Sequence, residues 1–187
     1  ILTLRGVAHD RQHDLAAGRR ELEDAKTLCI QISSGCGEVY QGLGLAALGQ
    51  NQFGDARASF ERALSIAKET GNLFLESNSL LNISAALVKE GRFDEAIDRL
   101  GPASEAAAGI GAEDLIVAAR ANLGWAYYRL GDSERASDLL LAAQKRAEQF
   151  HDDYDSENAL TDIGYIQLDK GHLDEAERSF QQALSLA

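Results

Sequence analysis

The sequence predicts an all-α chain of about five antiparallel helix pairs, and three observations carry that expectation. A short pattern returns at a spacing of 40 residues. Helix breakers and β-branched residues are scarce: there is one Pro in 187 residues, against many Ala, Leu, Glu, Arg and Gln. Between the recurring turns, apolar residues follow helical rather than alternating spacing.

The repeat is read most easily at its turns. Gly91-Arg-Phe-Asp-Glu-Ala96, Gly131-Asp-Ser-Glu-Arg-Ala136 and Gly171-His-Leu-Asp-Glu-Ala176 align without a gap. Forty residues before the first stands Asn51-Gln-Phe-Gly-Asp-Ala56, with Asn in place of the glycine. The register extends to Phe60, Leu100, Leu140 and Phe180, to Leu43, Ile83, Leu123 and Ile163, and to Gly44, Ser84, Gly124 and Gly164. The units are about 1–36, 37–76, 77–116, 117–156 and 157–187. The first is a weaker copy (Gly6, His13-Asp-Leu15, Gly18, Leu22, Ala25), displaced by two residues, which predicts a connecting loop shorter by two.

Each unit has a physical reading. Its first helix buries a face of apolar or small residues, such as Leu123, Gly124 and Tyr127. That helix stops at Gly131, because the residue past a helix end needs a positive φ, which Gly adopts freely and Asn next best. Asp94, Ser133 and Asp174 are expected to open the second helices as partners for free amides. Ala56, Ala96, Ala136 and Ala176 are small where two helices approach to roughly 8–10 Å. Phe60 and its equivalents are expected between neighbouring units, and Gly71 and Gly111 end the second helices. Two departures stand out. Gly101-Pro102 should kink or break the second helix of the third unit. The last unit ends without a polar capping helix, so the chain is expected to be a segment of a longer protein.

Asn122-Leu-Gly-Trp-Ala-Tyr-Tyr-Arg-Leu-Gly131 followed by Ala136, and Gly171-His-Leu-Asp-Glu-Ala176 followed by Phe180 and Ala183-Leu184, resemble the tetratricopeptide repeat (TPR). The period is longer than the common 34 residues. In this it is similar to kinesin light chain, MalT-like bacterial regulators and arrays attached to CHAT-type protease domains. The resemblance implies a right-handed α-solenoid with first helices on a concave inner wall, where a partner protein would bind.

By repeat equivalence, one inner column is then Gly42, Asn82, Asn122, Asp162, and the next is Leu45, Ala85, Trp125, Tyr165. One turn on come Leu48, Val88, Tyr128, Leu168, beside Gly49, Lys89, Arg129, Asp169; a further column is Gln41, Leu81, Ala121, Thr161. Asn82 and Asn122 offer donors and acceptors that can hold the backbone of an extended peptide, or equally can bond a neighbouring helix or water. Trp125, Tyr128 and Tyr165 are candidate aromatic anchors, with repeat packing as the alternative. Tyr127, on the buried face, is assigned to packing. Lys89 and Arg129 can take an acidic peptide or its carboxylate, or pair internally with acids such as Asp169.

Composition narrows the partners. Hydrophobic residues at 45% and charged residues at 26% suit a packed domain. A net charge of −12 without a basic stripe disfavours nucleic acid. No apolar run reaches the roughly 18 residues of a membrane span. Cys29 and Cys36 lack metal-ligand spacing and read as ordinary thiols in a reducing, cytoplasmic setting. His151-Asp-Asp-Tyr-Asp155 lacks the glycine and closing Glu of a calcium loop and reads as a solvated inter-repeat loop. His9, His13, His151 and His172 show no ligand spacing, so no metal and no cofactor is expected. No catalytic motif is present either.

The expected function is a protein–protein interaction module whose concave groove takes a peptide or helix of a partner. The alternative is a regulatory or sensing segment of a larger enzyme or signalling protein, with its ligand in the same chain. Self-association through the uncapped last unit is a third expectation.

Overall fold

A computed structural model describes residues 15–32 and 35–186, and every regular element among them is an α-helix. His9, His13 and the start of the weak first copy, Gly6 included, lie outside the described residues. The chain divides into two compact units, one running to Arg92 and one from Phe93. The division falls between the two helices of the third repeat.

The first unit holds α1 (Leu15–Ile32), α2 (Cys36–Gly49), α3 (Phe53–Thr70) and α4 (Leu73–Lys89). Each helix packs on the next, and α2 also touches α4. The second unit holds α5 (Phe93–Gly109), α6 (Glu113–Arg129), α7 (Ser133–Phe150), α8 (Asp153–Asp169) and α9 (Leu173–Leu186). Here too successive helices pack, and α6 touches α8. The first helices of consecutive repeats thus lie side by side in each unit.

Turn chemistry accounts for the pairing. Asn51 sits at φ 58° and Gly131 at φ 89°, and the amides around each close the preceding helix. Gln52 N–H donates to the Ala47 carbonyl at 2.9 Å, and Asp132 N–H to the Tyr127 carbonyl at 3.0 Å, the same bond one and three repeats along. His151 occupies the equivalent of Gly71 and Gly111 and takes φ 57°, a left-handed conformation held by a residue with a Cβ. The helix starts differ from expectation. Ser133 lies inside α7, and the cap is Asp132, which accepts from Arg135 N–H at 3.1 Å. Asp94 and Asp174 lie within the first turns of α5 and α9, where they face the positive helix end. Asn72 and Asp152 cap α4 and α8 in the same manner as Asp132.

The close approach of paired helices shows in the four alanines, which are 0–2% exposed. Phe60, Leu140 and Phe180 pack against Gly44, Gly124 and Gly164 of their own pairs, rather than only between repeats as expected. A Cβ on Gly124 would lie 2.7 Å from Leu140 Cγ and 3.3 Å from the Ala136 carbonyl oxygen. Glycine here admits the neighbouring helix. In the second unit these contacts continue into a core of Val117, Leu140, Ile163 and Ile166, with Tyr127 packed against it.

Two further expectations are corrected. Pro102 does not break α5, which continues to Gly109. The proline and the Asp98 carbonyl it leaves without a helical donor both belong to exposed residues, where water can serve that carbonyl. Cys29 and Cys36 are not free thiols. They form a disulfide joining the end of α1 to the first residue of α2, with Cα atoms 5.2 Å apart. Spacing along the chain could not show this, because it is the packing of α1 on α2 that brings the two residues together. The thiol argument for a reducing setting therefore falls, since such bonds persist in oxidising compartments.

Candidate functional site

In the first unit, Asn82 belongs to a network within the protein. Its Nδ2 donates to Gln41 Oε1 at 2.9 Å and to Asn78 Oδ1 at 3.1 Å. Gln41 Nε2 in turn donates to Ser79 Oγ at 2.7 Å, and Ser79 donates to the Leu75 carbonyl at 2.6 Å. Of the two roles open to Asn82, bonding to the neighbouring helix is the one the geometry displays. Lys89, at the end of α4, is exposed and has no ion-pair partner among the described residues.

The second unit brings six of the candidate residues onto two adjacent helices: Asn122, Trp125, Tyr128 and Arg129 on α6, and Asp162 and Tyr165 on α8. Their rings form a connected set. Trp125 and Tyr128 have centroids 5.2 Å apart, Trp125 and Tyr165 6.1 Å, and Tyr165 and Phe180 5.4 Å, the last two edge-on. Tyr165 is nonetheless 45% exposed, so the set is open to solvent at α8.

Arg129 does not pair with Asp169. Its guanidinium lies over the Phe93 ring at 4.9 Å and the Trp125 ring at 5.8 Å. Asp169 is instead held by Tyr128, whose hydroxyl donates to Oδ2 at 2.5 Å. That bond, together with burial and the Asp169 charge, pushes the Tyr128 pKa up to about 12. Asp162 and Asn122 have no hydrogen-bond partner among the described residues, and both are half-buried. Burial pushes the Asp162 carboxyl up to about 7. A carboxyl so placed is short of a partner, and a donor or a positive charge would restore its ordinary acidity.

The loop at His151 holds a second cluster. Gly111, Glu113, Asp114, Phe150 and Asp152 line a cleft of about 510 Å³ within this unit. Arg146 pairs with Glu113 at 2.9 Å and covers the Phe150 ring at 4.7 Å, which neutralises one of its acids. Burial and the neighbouring Asp152 and Asp114 charges raise the Asp155 carboxyl to about 6. No group of three or more His, Cys, Asp or Glu able to hold a metal ion occurs among the described residues. No helix among them is long and apolar enough to cross a membrane.

Sequence reasoning missed Phe93 and Phe180 as members of the aromatic set, although both stand at repeat positions held by Phe53 and Phe60. It also missed the Gln41–Asn78–Ser79 network. Gln41 stood in an inner column, but its bond partner lies 41 residues on and only packing reveals it.

The described residues thus form an all-α helical-repeat array. Family comparison makes that specific: tetratricopeptide repeat models match residues 75–149, and residues 37–70 and 157–187. The chain belongs to the tetratricopeptide repeat family. Among solved structures, it is similar to the Rap conjugation gene regulator of plasmid pLS20 in complex with the Phr* peptide. That match has a TM-score of 0.83 and 17% identity, covering 97% of this chain and 51% of that one. It is also similar to a signal transduction ATPase with numerous domains and a tetratricopeptide repeat sensor, from Pyrococcus horikoshii. There the TM-score is 0.80 and the identity 18%, over 95% of this chain and 28% of that one. A kinesin light chain-like protein of Podosopora anserina matches with a TM-score of 0.73 and 14% identity, over 99% of this chain and 92% of that one. The chain thus spans about half of the Rap regulator. No curated protein sequence gives a match.

Proposed function

We propose that this chain is a protein-interaction module without catalytic activity of its own, and that the α6–α8 face takes a peptide or helix from a partner protein. The observation that carries the reading is the open aromatic set of Trp125, Tyr128 and Tyr165 beside two side chains without hydrogen-bond partners among the described residues, Asn122 and Asp162. Rings of this kind supply contact area at low entropic cost, and unpaired amide and carboxyl groups supply hydrogen bonds to a bound backbone. The Rap regulator's complex with a peptide supports the same class of ligand. Nucleic acid is disfavoured by the charge of −12. The test is capture of partners by the intact protein. Trp125→Ala or Asn122→Ala should weaken binding while the helical circular-dichroism signal is kept; unchanged binding in both variants removes the proposal.

A second reading draws on the repeat sensor of the signal transduction ATPase, of which this chain matches only 28%. Here the array is a sensing segment whose ligand is another domain of the same chain. The sequence of the full gene decides: a catalytic or nucleotide-binding domain beside the repeats supports it, and repeats alone oppose it. A cytoplasmic location belongs to the proposal, and a Cys29–Cys36 bridge that persists in intact cells argues against it. Self-association through the exposed apolar side chains of α9, where Leu173 is 64% and Leu184 78% exposed, is tested by light scattering across concentrations.

A further inference from the structure

The α6–α8 face has a charge character that narrows its ligand. Asp162 stands on the same side of α8 as Tyr165, three residues on. Tyr165 meets Trp125 edge-on at 6.1 Å, so rings and carboxyl share one stretch of surface. The cation nearest by repeat position is already engaged, since Arg129 lies over Phe93 and Trp125. Lys170, beside Asp169, turns instead to Ser137 Oγ at 3.3 Å. Among the described residues no cation pairs with Asp162.

Resting on the reading above, we propose that this face recognises a basic side chain of the bound peptide, an arginine guanidinium or a lysine ammonium. Its charge is placed at Asp162 and its stem against Trp125 and Tyr165. Three features favour a cation over a neutral or acidic group. Aromatic faces attract positive charge, most strongly where water is partly excluded. A half-buried carboxylate without a partner gains more from an opposite charge than from a neutral donor. The net charge of −12 draws basic segments toward the chain and repels acidic ones. The raised Asp162 pKa agrees, because a group starved of stabilising partners is the one a cation would return to its ionised form.

Selection of random peptides on the purified protein tests this, with binding followed by the fluorescence of Trp125, the sole tryptophan. Selected peptides should be enriched in Arg or Lys at one position. Replacing that residue by citrulline or acetyl-lysine should weaken binding to the wild type about tenfold. On Asp162→Asn, which keeps the side-chain shape, the same replacement should change little. Equal losses on both proteins overturn the inference. If Asp162→Asn fails to fold, Asp162→Ser and the salt dependence of the wild-type complex carry the comparison, and salt-insensitive binding counts against it. Peptides that need Trp125 but show no basic preference overturn the cation site and leave the groove reading standing. Selection of no peptide at all removes both.

Discussion

Tyr128 on α6 donates its hydroxyl hydrogen to Asp169 on α8, tying the first helices of two consecutive repeats across their shared face. The pair lies 41 residues apart in the chain, one repeat and one residue. Arg129, the other charged candidate on this face, lies over the Phe93 and Trp125 rings instead.

The Tyr128–Asp169 bond should be visible in titration. A tyrosine whose folded pKa is raised from 10 to about 12 stays neutral through the range where unfolded tyrosines ionise. Its contribution to stability is present below about pH 10 and is lost as the pH climbs toward 12. Tyr128 should ionise near pH 12, as read by ring-carbon NMR shifts, and Asp169→Asn should bring it back toward 10. Ionisation of Tyr128 near pH 10 in the wild type would refute the bond.

Asp162 should depress stability as pH rises. Its folded pKa of about 7 lies above the unfolded value of 3.8, so the native state holds a proton the unfolded chain has released. Stability is then lost between about pH 4 and pH 7 and stays lost above. Asp162→Asn should match the wild type near pH 4 and exceed it near pH 8 by roughly 1–3 kcal/mol, allowing for partial solvation. Urea midpoints at both values measure it; a variant less stable at pH 8 contradicts the assignment.

Gly124→Ala tests the close approach within a helix pair. An exposed helix would gain up to ~1 kcal/mol from this change. Here the added methyl meets Leu140 Cγ at 2.7 Å and the Ala136 carbonyl oxygen at 3.3 Å, and the clash should win by about 1–3 kcal/mol. Measured in a Leu140→Ala background, itself destabilised by the lost core side chain, the added cost of Gly124→Ala should shrink but persist, because the backbone contact remains. A neutral Gly124→Ala would show that the pair can spread.

Reduction of Cys29–Cys36 should act locally. The bridge spans a separation of seven residues, a small loop for which about 2–3 kcal/mol of stabilisation is expected. With a reductant present, hydrogen exchange should accelerate in α1 and the start of α2, while amides of the second unit keep their protection. Uniform acceleration through the chain would contradict this.

Much of the fold was legible in the sequence because the repeat samples each structural demand several times. Asn51 in a column of glycines pointed to a positive φ, and the alanines at Ala56, Ala96, Ala136 and Ala176 pointed to helix contact. The site was legible only as a list of repeat-equivalent columns. Asn82 and Asn122 share a column, yet Asn82 is bonded to Gln41 and Asn78 while Asn122 has no hydrogen-bond partner among the described residues. The difference comes from neighbours that repeat position cannot supply: a Gln at 41 against a Leu at 81, and an Asn at 78 against an Ala at 118.

The sequence by itself determined the helix pairs, the turns that join them and the family. These follow from local rules, backbone conformation at the turns and apolar spacing along each helix, which act within one repeat. Only the tertiary structure decided that Cys29 reaches Cys36, that Arg129 goes to rings rather than to Asp169, and that Asp162 is left half-buried without a partner among the described residues. Each depends on which side chains of different helices meet, and on the water their packing excludes. Neither quantity is written in a repeat.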